Sequence, residues 1–196
     1  MEEKELKKRL NKTLKSNKSD LEKKIEILAV VTKALEKINV KPVIVGGQAV
    51  EFYTSGGYAT MDIDMICAKS ISDINAILEP LGFEKSGKYW VIEDNNISIV
   101  IEVPSGPLAG DKNKLTKVEV DEDLAAYFIG IEDIIIDRLN RYKHWKVYSD
   151  KEWIIGMIIL NYDEIEWDYI YEKAKKERVI EELENFKQEA EEYDIE

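Results

Sequence analysis

Asp62 and Asp64 stand one residue apart in the apolar run Asp62-Ile63-Asp64-Met65-Ile66-Cys67. Alternate side chains of a strand share a face, so the two carboxylates would lie side by side, roughly 7 Å apart at Cα. Ionised acids on a largely buried strand are unfavourable unless they are paired or bind a metal, and two like charges this close repel. A hard divalent cation removes both objections: Mg²⁺ typically takes one or two protein carboxylates and draws other ligands from substrate phosphates. Upstream, the short apolar run Val43-Ile44-Val45 ends in Gly46-Gly47, and a helix-compatible segment follows from Gln48. A Gly-Gly turn has no side chains to keep a ligand off the backbone. The helix it opens favours phosphate at its N-terminal N–H groups. Each feature has a plainer reading, namely a tight turn and an exposed acid-x-acid triplet in a chain with 40 acids. Their order and spacing together are more specific than either alone.

A second set of residues lies further along. Arg138, Arg141, Lys143, His144 and Lys146 form a run with no acid from 138 to 146, in a chain of net charge −12. They could clamp a triphosphate or an RNA phosphate, or they could be cations placed favourably at a helix C-terminus. Both readings stay open on the sequence. His144, the only histidine, reads as a polar helix-end residue rather than a base.

The elements that must position these residues follow from periodicity. Residues 1–18 are highly charged and read as a frayed helix. Ser19-Asp20-Leu21-Glu22 fits a capping box opening a helix to about residue 38. Leu21, Ile25, Leu28, Val31, Leu35 and Ile38 give it one buried stripe, with its lysines on a solvated face. After the Asp-x-Asp strand, residues 71–81 read as a helix and residues 83–85 and 89–92 as short strands around Gly87. Asp94-Asn95-Asn96 reads as a turn into an alternating strand, Ile97 to Val103, that stops before Pro104. Residues 118–120 and 124–129 suit a hairpin through Asp121-Glu122-Asp123. Beyond it come helices at 131–145 and 153–160 and one long charged helix from about 164 to 193, with an acid-rich end from Glu181 suited to fraying or partner contact. The organisation expected is an N-terminal helical segment (1–39), a catalytic core (40–130) and a C-terminal helical part (131–196).

The stretch from Val43 to Cys67 resembles the nucleotidyltransferase superfamily with the DNA polymerase β-like fold. The resemblance rests on Val45-Gly46-Gly47 followed by a helix and then Asp62-Ile63-Asp64 between apolar residues. Gly46-Gly47-Gln48-Ala49-Val50 with Thr60-Met61-Asp62-Ile63-Asp64 looks most like abortive-infection and toxin-type nucleotidyltransferases. The likeness is strong from Gly46 to Asp64 and looser out to Leu160. One departure stands out: relatives often carry an Arg shortly before the Thr, where this chain has Gly56-Gly57-Tyr58-Ala59.

The resemblance implies an α+β fold, a small mixed β-sheet with helices packed on one side and a helical C-terminal part. It implies transfer of a nucleoside monophosphate from an NTP to an acceptor hydroxyl, on RNA such as tRNA, on a protein or on a small molecule. Asp62, Asp64 and Glu102 would be the catalytic and metal-binding acids for Mg²⁺ or Mn²⁺, with Glu102 in the place of the family's third carboxylate. The alternative is that Glu102 is an edge acid and Asp94 a weak substitute. Gly46, Gly47, Thr60, Arg138, Arg141 and Lys143 would bind the nucleotide. A toxin with a cognate antitoxin is one implied setting. Two other classes stay open: a non-catalytic nucleotide-binding or partner protein, and a phosphotransferase acting on a protein.

Composition bounds these readings. The net charge of −12 argues against a broad nucleic-acid-coating surface, so extensive DNA binding is not expected. A single cysteine, Cys67, rules out a disulfide framework and suits a reducing compartment. No apolar run reaches membrane-spanning length and the charged N-terminus lacks a signal peptide's apolar segment, so a cytoplasmic protein without membrane contact is expected.

Overall fold

The computed structural model describes residues 1–94 and 97–193. Its second helix starts where the capping box predicts: the Ser19 hydroxyl accepts the Glu22 N–H at 3.3 Å, and the Glu22 carboxylate accepts the Ser19 N–H at 2.9 Å. This helix, α2 (Asp20–Leu35), follows α1 (Glu3–Leu14). Contrary to expectation α1 is not frayed. Leu6, Leu10 and Leu14 recur every four residues and are buried, and Arg9 ties the helix to Glu26 at 2.8 Å and to Asp121 at 2.9 Å.

The remaining elements are β1 (Val43–Val45), α3 (Gly46–Tyr53), β2 (Asp62–Ile66), α4 (Ile71–Leu81), β3 (Glu84–Ser86), β4 (Tyr89–Asp94), β5 (Ile97–Glu102), β6 (Thr116–Asp121), β7 (Leu124–Phe128) and α5 (Ile131–His144). Then come α6 (Asp150–Leu160), α7 (Trp167–Glu177) and α8 (Ile180–Tyr193). Asn95 and Asn96 of the expected turn lie outside the described residues. The single long C-terminal helix is instead two. Arg178 adopts a left-handed conformation (φ 61°), and the Val179 N–H returns to the Ala174 carbonyl at 2.9 Å. The break folds α8 back, so that Ile170 and Ala174 of α7 and Leu183, Phe186 and Ala190 of α8 are all buried, with α7 against α5 and α8 against α6.

Seven strands form one mixed sheet in the order β3-β4-β5-β2-β1-β7-β6. β2 runs parallel to β5 and β1 parallel to β7; the other neighbours are antiparallel. The register sorts the side chains by face, because residues paired across strands point the same way. Ile44, Ile63, Met65, Trp90, Ile99, Ile101 and Phe128 share one face and are at most 1% exposed. Helices crowd that face: α2 packs on β7 and on α1 and α4, and Phe52 of α3 stacks on Phe128 with ring centroids 4.3 Å apart. The opposite face carries Asp62, Asp64, Val100, Glu102 and Tyr89, all partly exposed. Among the described residues no helix is long and apolar enough to cross a membrane.

Candidate active site

The parallel pairing of β2 with β5 sets Asp64 directly opposite Glu102 and Asp62 opposite Val100. Register therefore puts all three acids on the open face of the sheet, the arrangement the alternating sequence of both strands demands once they are neighbours. Burial first, and then the charges of Asp62 and Glu102, push the Asp64 carboxyl above its ordinary value; Arg138 and Lys88 pull it back. No described residue donates a hydrogen bond to the Asp64 carboxylate. Its neighbours do have partners. Asp62 accepts the Thr60 hydroxyl at 3.3 Å, and Glu102 is held by the exposed Lys88 ammonium at 2.7 and 2.9 Å.

Gly46 and Gly47 adjoin these acids. Gly46 has φ +63°, and a Cβ there would lie 2.3 Å from an Asp64 carboxylate oxygen. Only glycine combines that backbone with that clearance. A Cβ on Gly47 would lie 2.8 Å from the Thr60 hydroxyl. The turn that begins α3 is thus packed directly on Asp64 and Thr60. It places the helix N-terminus, with its exposed N–H groups and positive dipole end, beside the carboxylates.

A buried ion pair fixes the loop before β2, and the sequence reading missed it. Lys24 of α2 donates to Glu51 of α3 at 2.8 and 3.1 Å and to the Thr60 carbonyl at 2.9 Å. The expectation of a solvated lysine face on α2 fails here, since Lys23 and Lys24 are 5% and 9% exposed. Lys24 lies four residues before Leu28 on the inward stripe, which is the one hint the sequence holds. Its partner is visible only when α2 and α3 meet.

The basic run behaves unevenly. Arg138 is 2% exposed, and it is the member whose charge reaches Asp64. Its nearest carboxylates are at 3.6 Å (Asp137) and 3.9 Å (Asp150), and its Nε has no hydrogen-bond partner among the described residues. Burial, then the like charge of Arg141, lowers its pKa. Burial also raises the Asp137 carboxyl, which Arg138 and Arg141 partly offset. Arg141 pairs with Asp150 at 2.9 Å, Lys143 with Glu182 of α8 at 2.9 Å, and the His144 ring lies 3.2 Å from the Glu177 carbonyl. The run lacks acids in sequence, but other elements bring acids to it. Arg141 and Lys143 are thus engaged by acids of α6 and α8, while the Arg138 charge acts on Asp64. Cys67, just past β2, is a half-buried thiol packed against the core, and burial pushes its pKa up to about 12.

Among the described residues no three acid, histidine or cysteine side chains form a ready-made metal cage. The donor set nonetheless fits a cation that arrives with its substrate. Asp62 and Asp64 offer hard oxygens on one face, Asp64 lacks a donor of its own, and the mutual repulsion of the acids is what a dication relieves.

A family model described as "Nucleotidyltransferase of unknown function (DUF6036)" matches residues 19–195. The chain belongs to this family. Its fold is similar to that of an antigenic nucleotidyltransferase-like protein from Paracoccidioides brasiliensis, with a TM-score of 0.53 and 19% identity over 72% of this chain and 76% of that one. Weaker likenesses are to the antibiotic-resistance factor ANT(2'')-Ia, with a TM-score of 0.44 and 16% identity over 83% of this chain and 91% of that one. They extend to JHP933 from Helicobacter pylori, with a TM-score of 0.39 and 14% identity over 89% and 94%. No curated protein matches the chain. The mixed sheet with helices on one face is the nucleotidyltransferase-like architecture, and membership of the family supports nucleotidyl transfer as the general chemistry.

Proposed function

We propose that this DUF6036 nucleotidyltransferase is an active, Mg²⁺-dependent enzyme that moves a nucleoside monophosphate from an NTP to an acceptor hydroxyl. The observation that carries the reading is the register of β2 and β5. It sets Asp64 opposite Glu102 and beside Asp62, while the Gly46-Gly47 turn packs on Asp64 itself. Transfer at phosphorus needs charge neutralisation and in-line positioning more than covalent chemistry from the protein. Asp62 and Asp64 would hold Mg²⁺ on the triphosphate. The bound ion would offset phosphate charge and make the acceptor hydroxyl easier to deprotonate.

The chain's own residues account for the rest. Gly46, Gly47 and the N-terminus of α3 receive the phosphates without steric hindrance. Arg138 of α5, whose charge acts on Asp64, would supply positive charge to balance the anionic nucleotide. Thr60 orients Asp62, and Lys24 with Glu51 holds the Thr60 segment still. Glu102, opposite Asp64 on the neighbouring strand, would join the metal-binding acids once released from Lys88.

Calorimetry with each NTP, with and without Mg²⁺, tests binding. Paired incubations with α- and γ-labelled NTP then separate nucleotidyl from phosphoryl transfer. Label retained from the α position with pyrophosphate released supports the reading, whereas γ-label transfer would make the chain a phosphotransferase. We extend the proposal to a toxin with a cognate antitoxin. Its test is growth arrest on expression of the wild type but not of Asp64→Asn.

A further inference from the structure

Of the proposed phosphate cradle, Gly46 packs on Asp64 and Gly47 on the Thr60 hydroxyl, which Asp62 accepts. Thr60 and Asp62 also border open space. Beside them lies a cleft of about 530 Å³, within the roughly 300–1,000 Å³ usual for small-molecule sites. Asp62 and Thr60 form one wall, Asp20 and Lys24 of α2 another, and Tyr89, Ser98 and Val100 of β4 and β5 the floor. None of Gly46, Gly47, Asp64 or Arg138 lines it. We propose that this cleft seats the acceptor, and that the acceptor is a small hydroxyl compound without phosphate groups. The inference rests on the nucleotidyltransferase reading given above.

Two physical points carry it. The first is position. With the triphosphate on Gly46-Gly47 and its reacting phosphorus over the acids, an attacking oxygen must come from the side opposite the pyrophosphate leaving group. The cleft is lined by Asp62 but not by Gly46 or Gly47, so it can supply that side. The second is charge. A polynucleotide acceptor needs cations for its backbone phosphates. Lys24 is the one cation among the described residues lining the cleft, and it is 9% exposed and committed to Glu51 and the Thr60 carbonyl. Asp20 and Asp62 leave the cleft with carboxylates facing the ligand. Its remaining contacts are an aromatic ring, aliphatic side chains and the exposed Met61 thioether, at 91% exposure. Such a surface receives a neutral or cationic alcohol and repels phosphate.

The acceptor hydroxyl oxygen forms a bond to the α-phosphorus of the NTP. The bond from that phosphorus to the bridging α–β oxygen breaks, and pyrophosphate leaves. The hydroxyl proton passes to solvent water in the open cleft.

The full-length chain is incubated with Mg²⁺, the four α-labelled NTPs and, separately, a small-molecule filtrate of cell extract, total RNA, and the desalted protein fraction. Label is expected in a phosphate-free compound of the filtrate. Ser98→Trp fills the cleft from the exposed side of β5. It should leave NTP–Mg²⁺ affinity by calorimetry at the wild-type value and lower transfer roughly 100-fold, the scale of a misplaced reactant. Label in RNA or protein overturns the acceptor class. A Ser98→Trp protein that transfers at the wild-type rate overturns the cleft, as does NTP binding with no label in the filtrate. If the wild type binds no NTP, the nucleotidyltransferase reading itself fails, and this inference with it.

Discussion

Asp64 and Asp133 are both aspartates held in the body of the fold, and their surroundings are opposite. Asp133, near the start of α5, has a fully buried side chain, and every lone pair that matters is answered. The Asp111 N–H donates at 2.7 Å, the Tyr169 hydroxyl at 3.0 Å and the Lys173 ammonium at 2.5 Å. Gly110 passes so close that a Cβ there would lie 2.7 Å from its carboxylate. Asp133 thus fastens the 103–115 connection and α7 to α5. Asp64 accepts no hydrogen bond from a described residue and sits among like charges, so its ionised form is disfavoured. A buried acid that is fully satisfied stabilises the fold. An acid left unsatisfied among other acids is held ready for something from outside. The same contrast separates Glu51, paired with Lys24, from Glu102, whose partner among the described residues is an exposed lysine.

The largest expected effect falls on the satisfied acid. Asp133→Ala removes a fully buried carboxylate that accepts three hydrogen bonds, leaving the Lys173 ammonium and the Asp111 N–H without it, so unfolding free energy should fall by about 3–5 kcal/mol. Urea denaturation measures it, and an unchanged midpoint would dissolve the contrast. Asp64→Asn should do the reverse: transfer activity falls roughly 10²–10³-fold, as for other electrostatic elements at a reacting centre, while the melting temperature in metal-free buffer holds or rises. A loss of stability like that of Asp133→Ala would make Asp64 structural too.

Arg138→Ala should weaken NTP–Mg²⁺ binding by about 1.5–3 kcal/mol, the range for hydrogen bonds to charged groups. Because the Arg138 side chain is 3% exposed, raising salt should change that loss little. Calorimetry at two ionic strengths reads it, and equal affinities of wild type and variant would return Arg138 to a packing role against Asp150.

The smallest effect is in pH. The Asp64 pKa is raised in the fold from an ordinary value near 3.8. Between the two values the native state therefore holds more proton than the unfolded state, and stability falls as pH rises through that window and stays lowered above it. The melting temperature of Asp64→Asn minus that of the wild type, without metal, should be near zero below the window and positive above it. Adding Mg²⁺ with NTP should reverse the sign by stabilising the wild type alone. A difference that does not vary with pH would mean that Asp64 is not the strained acid.

The local pieces are written in the chain's neighbouring residues. The capping box at Ser19, the Gly46-Gly47 turn, the alternation of Asp62 and Asp64 and the hairpin around Asp121-Glu122-Asp123 each follow from contacts within a few residues. Local chemistry suffices to specify them. It also fixed that Glu102 alternates outward with Val100 and Ser98 on its own strand.

Which outward face meets which is settled by packing between distant segments. β2 and β5 become neighbours across an intervening helix and two strands, and only that pairing brings Glu102 to Asp64. The buried stripe of α1 was hidden by its charge density, because Leu6, Leu10 and Leu14 gain their meaning from α2 and α4. Arg178 breaks the last helix because Val179 and α8 find burial only by folding back. The basic run reads equally as a phosphate clamp or as helix-end cations until Asp150 and Glu182 arrive from other helices to pair with Arg141 and Lys143. Electrostatics is the least local of these interactions. A charge's partner is set by where the chain returns, so the acids of the site could be read from the sequence while the fate of its cations could not.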